Sequence, residues 1–305
     1  MRIANALHNG QPKVVILRSE GDYFDLTRAL QIYDLTTQHG SVSAMLSVQD
    51  LLERDRFDVG LFESVCHFVV VRDLPGCLIS GRELRLLAPF ERPGQIIALA
   101  RNYAAHAQES TLPEPHEPIF FSKANTSVIG PGEPIVLPPN LGRIEPEIEL
   151  AFVIRKRAWH VRESDAADYI AGYTILNDVS AQELQAREIR EQYPLFRCKS
   201  LKTFTPMGPW LATVDEIGLK PRLQMVLTVN GEVRVTTNTS GLTFGVARLL
   251  SFISGYVELM PGDVITTGCP KAAGAIHPGD RLVLEIEGIG VLENPVVAGD
   301  EPCPQ

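Results

Sequence analysis

Residues 144–154 read IEPEIELAFVI, and residues 173–178 read YTILND. Side chains alternate faces along a strand, so Glu147 and Glu149 point the same way and can converge on one cation. Ala151 and Val153 continue the glutamate side, while Ile148, Leu150 and Phe152 fill the other. A run apolar on both sides is the pattern of a strand buried on both faces. Carboxylates leading into a buried face need a partner. Asp178 closes the second run and supplies a third acid. Three carboxylates with no nearby Cys or His suit a hard divalent ion such as magnesium, which keeps part of its shell for water or substrate oxygens. Two plainer readings stand beside this one. An acid-x-acid pair also occurs at solvated strand edges, and Asp178 is placed to cap a helix beginning near Ser180 and running through Ala181 to Glu191.

Working outward, residues 1–88 read as a small α+β unit. RIANAL and KVVILR flank HNGQP, whose Asn9-Gly10 pair is a hairpin signal, and a helical stretch follows over Thr27 to Thr37. The segment LRLLAPFERPG, with Pro89 and Pro93, marks a junction. Residues 89–297 are mostly strand-like runs split by Gly/Pro turns. Helices are expected at Ser164 to Ile170 with a serine N-cap, after Asp178, and over Phe244 to Tyr256. The fold class is therefore α+β, mainly β, and residues 298–305 read as a loose tail.

The chain has 305 residues, ample for a core, and its 45% hydrophobic and 21% charged content is that of an ordinary globular protein. A net charge of -9 without a Lys/Arg run argues against nucleic acid or an anionic membrane as partner. Five cysteines, odd in number and without CxxC spacing, argue against a disulfide framework and a zinc site. MRIANALHNG lacks a signal-peptide pattern and no stretch reaches the length of a membrane span, so a cytoplasmic location is expected.

RNYAAHAQES (101–110) places His106 and Glu109 three apart, on one face if the segment is a helical turn. A histidine oriented by a carboxylate can activate water; the same pair also occurs on ordinary surfaces. Lys123 in PIFFSK and Lys199 in RCKSLKTF are cationic candidates for stabilising enolate or carboxylate charge. The turn TGCPKAAG (267–274) follows a strand and can offer backbone amides to an anion. Neither GPG at 130–132 nor GIG at 288–290 completes a dinucleotide-binding loop.

Taken in order, RNYxxHxxE, PIFFSK, EPEIELAFVI, YTILNDVSAQELQ, KSLKTFTPMGPW, VNGE and LMPGDVITTGCP resemble the fumarylacetoacetate hydrolase family over roughly residues 95–297. The resemblance implies a mixed β-sandwich roll, usually a homodimer, preceded by a small N-terminal domain. It implies magnesium, or manganese or calcium, at Glu147, Glu149 and Asp178. The family's His-Glu pair falls on His106 and Glu109 and its active-site lysines on Lys123 and Lys199; substrate contacts are expected at Arg101, Tyr103, Gln182 and Cys269. The implied substrate is a 2-oxo or enol acid. The implied reaction is metal-dependent carbon-carbon hydrolysis of an acylpyruvate or fumarylacetoacetate-like acid; isomerisation or decarboxylation of a hydroxymuconate-type diacid, as in aromatic catabolism, is the alternative, and a non-catalytic metal- and ligand-binding member a third. The departures from the family pattern are Gln182 for an arginine, Cys269 for a threonine, Ala272-Ala273 for Gly-Val, Val235 for a glutamine and Lys202 for an aspartate, and three of them, Gln182, Val235 and Cys269, touch the expected substrate end. Arg101 and Arg197 are candidates to restore the charge lost at Gln182.

Overall fold

The computed structural model describes residues 1–19, 21–37, 45–103, 115–270 and 273–303. The strands of the N-terminal region are β1 (Arg2–His8), β2 (Gln11–Ser19), β3 (Asp22–Asp25), β4 (Leu78–Ser80) and β5 (Leu84–Leu86). Then come β6 (Ile96–Ala100), β7 (Ile119–Lys123), β8 (Val128–Ile129), β9 (Ile135–Leu137), β10 (Ile144–Glu145), β11 (Ile148–Ile154) and β12 (Ile170–Asn177). The last are β13 (Ser180–Ala181), β14 (Thr205–Thr213), β15 (Gln224–Val229), β16 (Glu232–Asn238), β17 (Val264–Thr266), β18 (Arg281–Ile286) and β19 (Gly290–Ala298). A long sheet runs β4-β3-β2-β1-β14-β12-β11-β17-β6-β7, and a second runs β16-β15-β18-β19-β9. The fold is mainly β with mixed sheets, as the sequence indicated.

The hairpin reading holds: Asn9 and Gly10 take φ of 50° and 75°, and His8 pairs with Gln11. Two successive left-handed residues match the twist of the strands they join. From this hairpin the sheet continues into the rest of the chain, because β1 pairs antiparallel with β14 through Arg2↔Ala212 and Ile3↔Leu211. The unit read over residues 1–88 is thus joined edge-on to the larger region and shares its core.

β11 is the partition between two cores, and every one of its residues is buried. Ile148, Leu150, Phe152 and Ile154 pack with Met225 and Leu227 of β15, Leu282 and Leu284 of β18, and Leu249, Leu250 and Ile253. Ala151 and Val153 face the other way, into a core with Ile3, Val14, Phe62 and Val65 from the N-terminal region. This double burial is why the run has no polar alternation.

Several local readings change. The stretch from Ser164 is a 3-10 helix, Glu163–Tyr169, with Arg162 as N-cap and no side-chain cap; Ser164 Oγ instead bonds Asp165 Oδ1 at 2.8 Å. Three described α-helices were not foreseen: Val48–Glu53, closed by a Ser47/Asp50 capping box, Val59–Val71, capped by Asp58, and the single turn Val214–Ile217. The tail is tethered as far as Cys303, which exchanges hydrogen bonds of 2.9 and 2.6 Å with the Asn140 side chain. No described helix is long and apolar enough to cross a membrane.

Candidate metal centre

Pairing of β11 with β12 brings the acids together. Ile148 lies opposite Asn177, so the next residue outward on each strand, Glu147 and Asp178, meet just past the end of the ladder. The Asp178 amide donates to the Glu147 carbonyl at 2.9 Å, and the Glu147 amide to Asn177 Oδ1 at 3.0 Å. Glu149 sits inside the ladder opposite Leu176. Ligand atoms of Glu147, Glu149 and Asp178 all lie within 4.8 Å of one another.

Two lysines close the cluster. Lys199 Nζ bridges Glu147 Oε2 and Asp178 Oδ2, each at 2.8 Å, and lies 5.7 Å from the centre of the Phe121 ring. Its third N–H has no protein acceptor among the described residues. Lys123 donates to Asp178 Oδ1 at 2.5 Å, to the Phe204 carbonyl at 3.2 Å and to the Lys199 carbonyl. All three of its donors are spent on the protein, so it holds Asp178 and the Lys199 backbone rather than presenting an N–H outward. Asp178 cannot also cap the following helix: that helix, Gln182–Arg190, has Ala181 at its N-cap with no side-chain bond.

The electrostatics follow from this packing. Burial raises the Asp178 pKa, but Lys123 and then Lys199 outweigh it and hold the carboxyl below its ordinary range. Lys199 is held above its ordinary value, because Asp178 and Glu147 overcome the cost of its burial. Burial pulls Lys123 below the usual lysine value against the opposing field of Asp178. Glu149 has no lysine. Burial first, then Asp178 and Glu147, push its pKa up to about 8. The Gly268 amide donates to its Oε2 at 2.9 Å and the Thr266 hydroxyl works against the rise, while the buried Oε1 of Glu149 has no hydrogen-bond partner among the described residues.

That orphaned oxygen is the test of fit for a metal. A buried carboxylate oxygen without a donor is costly unless something cationic meets it. Three carboxylates face two ammonium groups here, and the donor set is all oxygen, as a hard divalent ion requires. With such an ion bound, the centre would turn net positive and favour an anionic ligand.

The turn after β17 behaves as its sequence indicated, except that the anion it meets is the protein's own Glu149. Gly268 adopts φ +86°, and a Cβ there would come within 3.2 Å of the Leu99 carbonyl oxygen. Among the other expected site residues, His106 and Glu109 lie outside the described residues, as does Ala272. Arg101 takes a left-handed φ of 58° just after β6. Tyr103 is buried, with its hydroxyl 3.5 Å from Met225 Sδ; burial, then Cys269 and Glu149, raise its pKa. Gln182 opens its helix and donates its amide to the Arg143 carbonyl at 2.8 Å, and Cys269 follows Gly268 in a half-buried position. Val235 needs reassignment: it is buried in the apolar core opposite Leu227, so its identity serves packing rather than the substrate end. Arg197 is turned onto Glu188 at 2.8 Å.

Sequence reasoning missed Ser180, whose hydroxyl reaches Glu147 Oε1 at 2.8 Å, and Asn177. The only signal for them was a cluster of polar residues ending an apolar strand.

Residues 95–297 match the family described as fumarylacetoacetate (FAA) hydrolase, C-terminal. The chain belongs to the fumarylacetoacetate hydrolase family. The mitochondrial oxaloacetate tautomerase FAHD2A of Homo sapiens is 37% identical over 241 residues, covering 77% of this chain and 76% of that protein. The solved structure of 5-carboxymethyl-2-hydroxymuconate delta-isomerase from Mycobacterium smegmatis superposes with a TM-score of 0.75 at 31% identity, covering 99% of this chain and 100% of that one. Maleylpyruvate hydrolase from Sphingobium sp. SYK-6 gives 0.74 at 29% identity over 98% and 100%. A fumarylacetoacetate hydrolase family enzyme is thus supported by relatives that include tautomerase, isomerase and hydrolase.

Proposed function

We propose that this family member is a divalent-metal-dependent enzyme that interconverts the keto and enol forms of a 2-oxo acid. The observation that carries the reading is Lys199, fixed by two 2.8 Å bonds between Glu147 and Asp178, with one N–H that meets no acceptor among the described residues. A magnesium ion held by Glu147, Glu149 and Asp178 would supply Lewis-acid polarisation of the 2-oxo carboxylate. Lys199 lends its spare N–H and its charge to the oxygen on which enolate charge develops, in a site where burial strengthens each such contact. Lys123 keeps Asp178 ionised and the Lys199 turn in place. Gly268 fixes one oxygen of Glu149 so that the other faces the shared centre.

Isomerisation requires only that charge be held and a proton be moved, and the oxaloacetate tautomerase and hydroxymuconate isomerase among the relatives favour it. Carbon-carbon hydrolysis is the second reading, favoured by the His106 and Glu109 pair in the sequence, which would activate water against a remote carbonyl. A cytoplasmic homodimer using magnesium accompanies both readings.

Two substrates separate them. Enol oxaloacetate is followed by ultraviolet absorbance and an acylpyruvate by release of two acids, each with magnesium and against a protein-free blank. Tautomerisation with no acid release is the expected result. Acid release abolished by His106→Ala would move the assignment to hydrolysis, and turnover of neither substrate would overturn the proposal.

A further inference from the structure

Glu188 has no role in the chemistry above, yet it is fully buried on the helix Gln182–Arg190. One carboxylate oxygen accepts from Arg197 Nε at 2.8 Å, and the other from the Cys198 amide at 3.4 Å. The Cys198 thiol is a further hydrogen-bond partner. The Glu188 carbonyl accepts the Tyr193 amide at 2.8 Å, which ties down the start of the connection to the next turn. Burial opposes ionisation of Glu188, but Cys198 and Arg197 more than offset it and keep the carboxyl below its ordinary range.

The groups that Glu188 grips belong to the 3-10 turn Arg197–Lys199. Three residues of 3-10 helix make poor internal hydrogen bonds and do not hold a geometry alone. Lys199 nonetheless has to sit within hydrogen-bond range of two carboxylates at once. From the metal side, Lys123 Nζ holds the Lys199 carbonyl. At the two residues before Lys199, the carboxylate that meets the turn is Glu188. A fully buried charge costs several kcal/mol unless its partners are good, as they are here.

We propose that Glu188 is a positioning residue for Lys199: by clamping Arg197 and Cys198 it sets the turn from which Lys199 reaches Glu147 and Asp178. The proposal rests on the reading of Lys199 as a member of the centre. Glu188 acts through Lys199 and makes no contact with substrate or metal.

A double-mutant cycle read by manganese binding tests it. Lys199→Met removes the cation that occupies two ligand carboxylates, so manganese binding measured by calorimetry should tighten. Glu188→Ala, by loosening Lys199, should tighten it in the same direction, by about tenfold if the coupling is typical of contacting residues. Added to Lys199→Met, Glu188→Ala should change nothing further. Should Glu188→Ala not fold, as judged by its melting curve, Glu188→Gln carries the cycle, since it keeps the volume but sets an NH2 donor against the N–H of either Arg197 or Cys198. Unchanged manganese affinity in the single variant, or an equal shift in both backgrounds, would overturn the clamp. If the wild type turns over neither oxaloacetate nor an acylpyruvate, the functional reading fails while the manganese cycle still decides the role of Glu188.

Discussion

Glu149 is the residue on which the centre turns, because it alone of the three acids has no lysine in direct contact among the described residues. In the folded chain its pKa lies at about 8, against 4.5 for an ordinary glutamate. Between those values the folded state holds a proton that the unfolded state has lost, so stability falls as pH rises through this window. Without divalent ions, the melting temperature of the wild type should therefore drop relative to Glu149→Gln as pH goes from about 4.5 to about 8, and the two should converge at the acid end. Metal uptake below that upper value should release a proton, which calorimetry in buffers of different ionisation enthalpy would detect. The acids themselves were legible in the sequence, since strand alternation and a strand end suffice to place them. Ser180 was not, because it contributes a hydroxyl across a turn; Gly268 was legible only as part of a turn that offers amides to an anion, and that the anion is Glu149 follows from the fold. Lys123 was legible as a cation, but its exhausted donors could be known only from the Phe204 and Lys199 carbonyls around it.

At the scale of elements, β11 and the turn Arg197–Lys199 do different work. β11 is held by apolar side chains on both faces, and its reading needed only the run IELAFVI. The turn is held by buried charges, and these make it fragile. Lys123→Met would leave Asp178 short of one buried partner and the Lys199 carbonyl without its donor. Breaking a buried pair from one side costs about 3–5 kcal/mol, so denaturant unfolding should show a loss of that order. A loss under about 1 kcal/mol, the range of an exposed pair, would mean that the lysine is not the structural cation described here. The helices at Val48–Glu53 and Val59–Val71 escaped the sequence reading for different reasons. Ser47 and Asp50 did offer a capping box, whereas VGLFESVCHFVVV is apolar on too much of its circumference to show a clear helical period.

Across the whole molecule, the sheet joins what composition and prolines separate. A boundary near residue 88 is visible in the change of texture at LRLLAPFERPG, but the pairing of β1 with β14 links strands far apart in the chain and has no local signal. That pairing, together with the packing of Ile3, Val14 and Phe62 against Ala151 and Val153, turns the N-terminal region into a wall of the second core. Removing residues 1–88 should expose an unpaired strand edge and this apolar face at once, so the shortened chain should aggregate or lose its cooperative melt. A shortened chain that melted cooperatively as a single species would show that the larger region is self-sufficient. The candidate metal centre sits at the end of the β11 and β12 ladder, so its geometry depends on the core that this wall completes.

If Glu147, Glu149 and Asp178 form a divalent-metal centre that receives a 2-oxo acid beside Lys199, metal and chelating anion must bind in that order. This is read by calorimetric titration of manganese into the metal-stripped protein, followed by oxalate, the planar dianion with the chelating oxygen pair of an enolised 2-oxo acid. One manganese per chain, oxalate binding only after manganese, and loss of both in Glu149→Gln are the results expected. Oxalate binding that is unchanged by removal of manganese and by Glu149→Gln would contradict a metal centre at these three acids.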